Sequence, residues 1–178
     1  MNKPILYTDS IRLRAPEPED LEILIALEND EELWENGIST GPYSRFQLKR
    51  YIAENTNDIY TDGQLRLIIE NASGKAVGII DLFAFDVRHR RAEVGIAILK
   101  DYRRQGVART AMLLLEQHCF GFLGIHQLYA YVQESNIACR NLFLSSGYVV
   151  TGILKDWIYI GCSYKNIYVM QKISSSVT

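Results

Sequence analysis

The chain has 178 residues, of which 48% are hydrophobic and 22% charged, with a formal net charge of −2. That length suits one domain with a real core, and the near-neutral balance, with no basic run longer than Arg88-His89-Arg90-Arg91, argues against non-specific binding to nucleic acid. Cys119, Cys139 and Cys162 lie far apart without Cys-x-x-Cys spacing, so neither a metal site nor a disulfide framework is expected, and the absence of a long apolar run argues against a signal peptide or membrane span and for the cytoplasm.

Ile11-Arg12-Leu13-Arg14 alternates apolar with charged and reads as a half-buried strand closed by Pro16. A helix over Asp20 to Asn29 follows, with Leu21, Leu24, Ile25 and Leu27 on one face and Glu17, Pro18, Glu19 and Asp20 at its start, where the dipole favours acids. The acidic stretch Asp30 to Glu35 has two readings: a solvated helix end with Trp34 tucked into the core, or an acidic wall that attracts a cationic substrate. Ser44-x-x-Gln47 has the form of a capping box and predicts a second helix through about Glu54, with Leu48, Tyr51 and Ile52 inward.

Asn55 to Gly63 reads as a loop. Leu65 to Glu70, a turn at Asn71 to Gly74, and Ala76 to Phe85 make a hairpin, and a polar connection leads to a third strand over Arg91 to Leu99. That strand runs into Tyr102 to Thr110, a turn opening a helix over Val107 to Phe120. The first amides of such a helix lack intrahelical partners and carry the positive end of its dipole, so the turn suits an anion, above all a phosphate. Gln127 to Val132 is a short strand, Ile137 to about Ser146 a helix ended by Gly147, and Tyr148 to Ile173 a hairpin turning at Gly161-Cys162-Ser163. His118 and His126 read as cap or surface residues, and Tyr129, Tyr131, Tyr159 and Tyr168 as packed strand residues. The layout predicts a single domain over 9–173 with a short frayed tail over 174–178.

Arg103-x-x-Gly106-x-Ala108, following the strand Ala92-Glu93-Val94-Gly95-Ile96 and opening a helix, resembles the acetyl-CoA motif of the GNAT superfamily of N-acetyltransferases. Glu134-Ser135-Asn136 before a helix closing on Ser146-Gly147-Tyr148 is a second match, at the family's distance. Within the family, His89 to Glu93 and Gly161 to Asn166 look most like the bacterial spermidine/diamine acetyltransferases and the ribosomal-protein acetyltransferases. The resemblance implies an α+β fold, a mixed and mostly antiparallel twisted sheet of about six or seven strands with flanking helices. It implies acetyl-CoA as co-substrate: Arg103, Arg104, Gln105, Gly106, Val107, Ala108 and Arg109 around the pyrophosphate, and Ile96, Ala97 and Ile98 beside the pantetheine arm.

Asn136 is equally suited to capping a helix or touching that arm, and its place in the motif favours the arm. The implied reaction is attack of a primary amine on the thioester, with Glu93 as the base that takes the amine's proton. The alternative for Glu93 is pairing with Arg91 or Arg88. Seven residues after Asn136, many members carry a tyrosine that protonates the departing thiolate; here Phe143 stands there, leaving water, Cys139, Ser135 or Tyr148 as candidates. The acceptor is a polyamine or diamine, or else a protein N-terminus or an aminoglycoside-like amine. An acyl-CoA-binding module without turnover is the reading from another class. The C-terminal hairpin either forms a contact between copies or covers the acceptor site.

Overall fold

The computed structural model describes residues 6–34 and 41–175; the side chain of Trp34, and Glu35 with it, lie outside the described residues, as do 1–5 and 176–178. The elements in chain order are β1 (Ile11–Arg14), α1 (Leu21–Glu28), α2 (Glu31–Trp34), α3 (Arg45–Glu54), α4 (Ile59–Asp62), β2 (Leu65–Asn71), β3 (Ala76–Asp86) and β4 (Arg91–Ile98). They continue with α5 (Val107–Gly121), β5 (Gln127–Gln133), α6 (Ile137–Ser145), β6 (Val149–Ile160) and β7 (Ser163–Ile173). Seven strands form one sheet in the order β1-β2-β3-β4-β5-β7-β6. Every pair is antiparallel except β4 with β5. The expected mixed, mostly antiparallel sheet is therefore present.

Local chemistry accounts for the element ends. Ser44 Oγ accepts from the Gln47 amide and Gln47 Oε1 accepts from the Ser44 amide at 2.8 Å, so the capping box forms as expected. Within the stretch read as a loop, Asp58 caps the single turn α4 by accepting from the Tyr60 amide, and Gly63 closes it at φ 66°. Four residues carry no periodicity that a pattern could register. At the other end Gly147, at φ 87°, ends α6 as expected.

Helices cover both faces. The α5 and α6 side buries Leu67, Ile80, Leu82, Val94 and Leu128 with Met112, Leu115 and Phe143. The α1 and α3 side buries Ile68 and Ile79 with Leu24, Leu27 and Leu48, and Ala97 packs against that layer. Two arginines tie this second side together: Arg14 to Asp20 (2.6 Å) and Glu70, and Arg66 to Asp81 (2.8 Å) and Glu28 (2.5 Å). His118, read as a cap or surface group, is instead buried and stacked on Phe122 with ring centroids 5.2 Å apart. Beyond β7, Ser174 is buried and its amide donates to the His126 carbonyl. Among the described residues no helix is long and apolar enough to cross a membrane.

Candidate functional site

The site begins where β4 and β5 part. Their parallel register holds only for Arg91–Gln127, Ala92–Leu128 and Glu93–Tyr129, although β4 runs on to Ile98 and β5 to Gln133. Each strand keeps its other neighbour along this stretch: β4 pairs β3 from Glu93 to Ile98, and β5 pairs β7 throughout. Beyond Glu93 and Tyr129 the two facing edges therefore splay apart, exposing backbone that an extended ligand can pair with. Ile96, Ala97 and Ile98 lie on this splayed part of β4.

At the far end of β4 a 3-10 turn over Lys100–Tyr102 precedes the bend expected from the sequence. Arg104 and Gly106 both have left-handed backbone, φ 61° and φ 80°, which is the reason glycine is frequent at both places in such motifs. Nothing lies within 4 Å of where a Cβ would stand on Gly106, so the loop is open to a ligand. Gly106 caps α5 with no side-chain bond, and the first bond of the helix is Thr110 N–H to the Gly106 carbonyl at 3.0 Å. The amides of Val107, Ala108 and Arg109 accordingly have no intrahelical acceptor, and they sit at the positive end of a helix 15 residues long. Arg103 braces the loop by donating from Nε to the Ile98 carbonyl at 2.9 Å, and Gln105 does so through its side-chain amide to the Asp101 carbonyl at 2.7 Å. Arg104 and Arg109 are exposed beside it.

Glu93 sits at the apex of the splay. Ala92 and Val94 face the α5 layer, so Glu93 points to the opposite face of the sheet, in register with Phe83 on β3 and Tyr129 on β5. A Cβ on the following Gly95 would come within 2.8 Å of the Phe83 ring, so this glycine makes room for an aromatic wall beside the carboxylate. Burial pushes the Glu93 carboxyl up to about 7. The expected alternative, a pairing with Arg91 or Arg88, is not formed: Arg91 binds Asp86 at 3.2 Å, and Glu93 has no ion pair among the described residues.

The second motif is less clear-cut in its chemistry. Asn136 Oδ1 accepts from the Cys139 amide at 3.0 Å, so the helix-capping role is realised at the mouth of the splay. Phe143 is 2% exposed, packed edge-to-face on Tyr148 with centroids 4.8 Å apart. Burial first and the Glu116 carboxylate second push the Tyr148 phenol far above its ordinary value. Cys139, one turn before Phe143 on α6, is half-buried, and burial pushes its thiol up to about 11. Ser135 is exposed. In the acidic stretch, Glu32 is engaged by Lys100 at 2.9 Å, which ties α2 to the end of β4.

Sequence reasoning anticipated a mixed sheet but not which strands run parallel, and it missed the splay of β4 from β5 and the Phe83 wall. The order strand, helix, strand over Arg91 to Gln133 was the available signal for a parallel pair.

A model of the acetyltransferase (GNAT) domain matches residues 10–149. The spermidine N(1)-acetyltransferase of Vibrio cholerae is 27% identical over 165 residues, covering 90% of this chain and 93% of its own. The crystal structure of a Vibrio cholerae spermidine N-acetyltransferase in complex with CoA and spermine aligns with TM-score 0.85 and 25% identity over 94% of this chain and 98% of the other. A dodecameric structure of the Vibrio cholerae enzyme aligns at TM-score 0.79 and 25% identity over 93% and 95% of the two chains. With the family match spanning most of the chain over this fold, the protein belongs to the acetyltransferase (GNAT) domain family and is an N-acetyltransferase with acetyl-CoA as co-substrate.

Proposed function

We propose that this enzyme acetylates a primary amine of a polyamine or diamine, with Glu93 as the base. The observation that carries the reading is the half-buried, unpaired Glu93 carboxylate at the point where β4 and β5 separate. The relatives' substrates support the acceptor class, since similar proteins act on spermidine and one binds spermine. In this reading the Val107, Ala108 and Arg109 amides and the open Gly106 backbone hold the pyrophosphate, with Arg103, Arg104, Gln105 and Arg109 around it. The splayed edge over Ile96, Ala97 and Ile98 pairs with the pantetheine arm, and Asn136 closes the mouth from the α6 side. The co-substrate supplies an activated acetyl thioester.

An alkyl ammonium with pKa near ~10 is a poor nucleophile until it loses a proton. Glu93, raised to about 7, is ionised at mildly alkaline pH yet basic enough to take that proton directly or through one water. The amine nitrogen then bonds to the acetyl carbon, the carbon–sulfur bond breaks, the thiolate leaves with the electron pair, and the nitrogen gives up its second proton to solvent. Phe143 has no proton to give, and burial makes the Cys139 thiol a weaker acid than usual, up to about 11, so solvent protonates the sulfur.

The exposed, unpaired Cys162 suits a reducing compartment, and we place the enzyme in the cytoplasm on that ground. The exposed Val149, Val150 and Ile153 on edge strand β6 support assembly of copies through that edge. We propose one acetyltransferase domain over 9–173, with Ser174 packed against its edge through the His126 carbonyl. Thiol release from acetyl-CoA, measured with spermidine, a ribosomal-protein N-terminal peptide and an aminoglycoside, tests the acceptor. Spermidine is expected to give the highest kcat/KM; a higher value for either competitor overturns the assignment.

A further inference from the structure

The face of the sheet that carries Glu93 is covered by α1 and α3 only over β2 to β4, where Ile68, Ile79 and Ala97 pack. On β5, Leu128, Ala130 and Val132 turn toward α5, so Tyr129 and Tyr131 stand on the Glu93 face. They were expected to pack, yet Tyr131 is 42% exposed and Trp157, reaching it from β6, is 57% exposed. Trp157 lies within a bulge, between the paired Leu154–Ile167 and Ile158–Lys165. A bulge re-aims side chains locally.

The rings form a continuous line. Tyr129 is the register partner of Glu93, Tyr131 meets Tyr129 edge-on with centroids 5.6 Å apart, and Trp157 tilts against Tyr131 at 6.3 Å. These steps are of the order of the spacing between nitrogens along an aminopropyl or aminobutyl chain. Arg91, whose charge reaches Tyr129, is held by Asp86. Aromatic faces attract ammonium groups, with Trp the strongest of them.

We propose that Tyr129, Tyr131 and Trp157 form the acceptor track: the reacting end of a linear polyamine lies at Glu93 and its remaining ammonium groups lie over the Tyr131 and Trp157 rings. The track rests on the amine acetylation proposed above and adds the residues that select a long polycation over a monoamine. An ammonium beyond the reacting one gains two π faces, whereas a monoamine has nothing to place there. Tyr131 and Trp157 are thus specificity residues, and Glu93 carries the chemistry.

Steady-state kinetics of wild type, Trp157→Ala, Trp157→Phe and Tyr131→Ala, with spermidine and with propylamine, test the track. The kcat/KM ratio of spermidine to propylamine is expected to fall about tenfold in Trp157→Ala and Tyr131→Ala and to be largely restored in Trp157→Phe. With only two tryptophans in the chain, Trp34→Phe makes Trp157 the sole tryptophan, and its selectively excited fluorescence is expected to change saturably on titration with spermidine. An unchanged ratio together with emission blind to spermidine, while spermidine is still acetylated, overturns the track and leaves the activity standing. Emission that responds to spermidine without thiol release keeps the track and overturns the activity. A Trp157→Ala protein that loses its assembly with the ratio intact assigns the rings to a contact between copies and overturns the proposal.

Discussion

Glu93 shows how one side chain is tuned by what is missing around it. No cation among the described residues compensates the charge, and Phe83 and Tyr129 flank it in register, so burial raises its carboxyl to about 7. As a base it must be ionised. The kcat/KM for the amine is therefore expected to fall as pH drops through about 7, and Glu93→Gln to lower kcat by about 10²-fold or more with acetyl-CoA affinity unchanged, as read by pH–rate profiles and calorimetry. A carboxyl whose folded pKa is raised penalises the folded state once it ionises. Below about 4.5, its ordinary value, the carboxyl is neutral in both states and nothing is lost; stability then declines as pH rises toward and through about 7. Glu93→Gln is thus expected to melt higher than wild type at pH 8 and no higher at pH 4. Gly106 is the second decisive residue. With open space around it, Gly106→Val meets no neighbour, but φ 80° strains a β-branched residue by about 1–3 kcal/mol. Titration with acetyl-CoA should show weaker binding, because the loop must leave the shape that presents its amides.

Among the elements, α6 joins the site to the core. Asn136 caps its start at the mouth of the splay, while Phe143, two turns on, is enclosed against Tyr148. Phe143→Ala is expected to cost about 3–5 kcal/mol in urea unfolding, the range for emptying a buried aromatic. The ring that stands in the usual tyrosine position therefore has a packing role in this enzyme. At α3 the reciprocal bonds of Ser44 and Gln47 predict a smaller effect: Ser44→Ala should cost about 1 kcal/mol by the same measurement. Such ends are readable in a sequence because donor and acceptor lie three residues apart. The single turn α4 was not readable, since its cap and Gly63 close too short a stretch to show a period.

At the scale of the whole molecule, β4 and β5 are neighbours in the sheet that pair for only three residues and then part. Adding CoA is expected to slow amide hydrogen exchange over residues 94–98 and 106–109 and to leave β1 and β2 unchanged, by mass spectrometry. Uniform slowing across the sheet would contradict ligand pairing at the splay. The strands, the capped start of α3 and the open Gly106 turn were determined by the sequence alone, because alternation, capping spacing and glycine content act over a few neighbouring residues. Tertiary structure alone decided that β4 and β5 pair for three residues and then part, that Glu93 is half-buried without an ion-pair partner among the described residues, and that Tyr131 and Trp157 meet in the open. Each depends on residues brought together from distant parts of the chain, and no local preference encodes which strand edges remain unpaired or which rings are left uncovered.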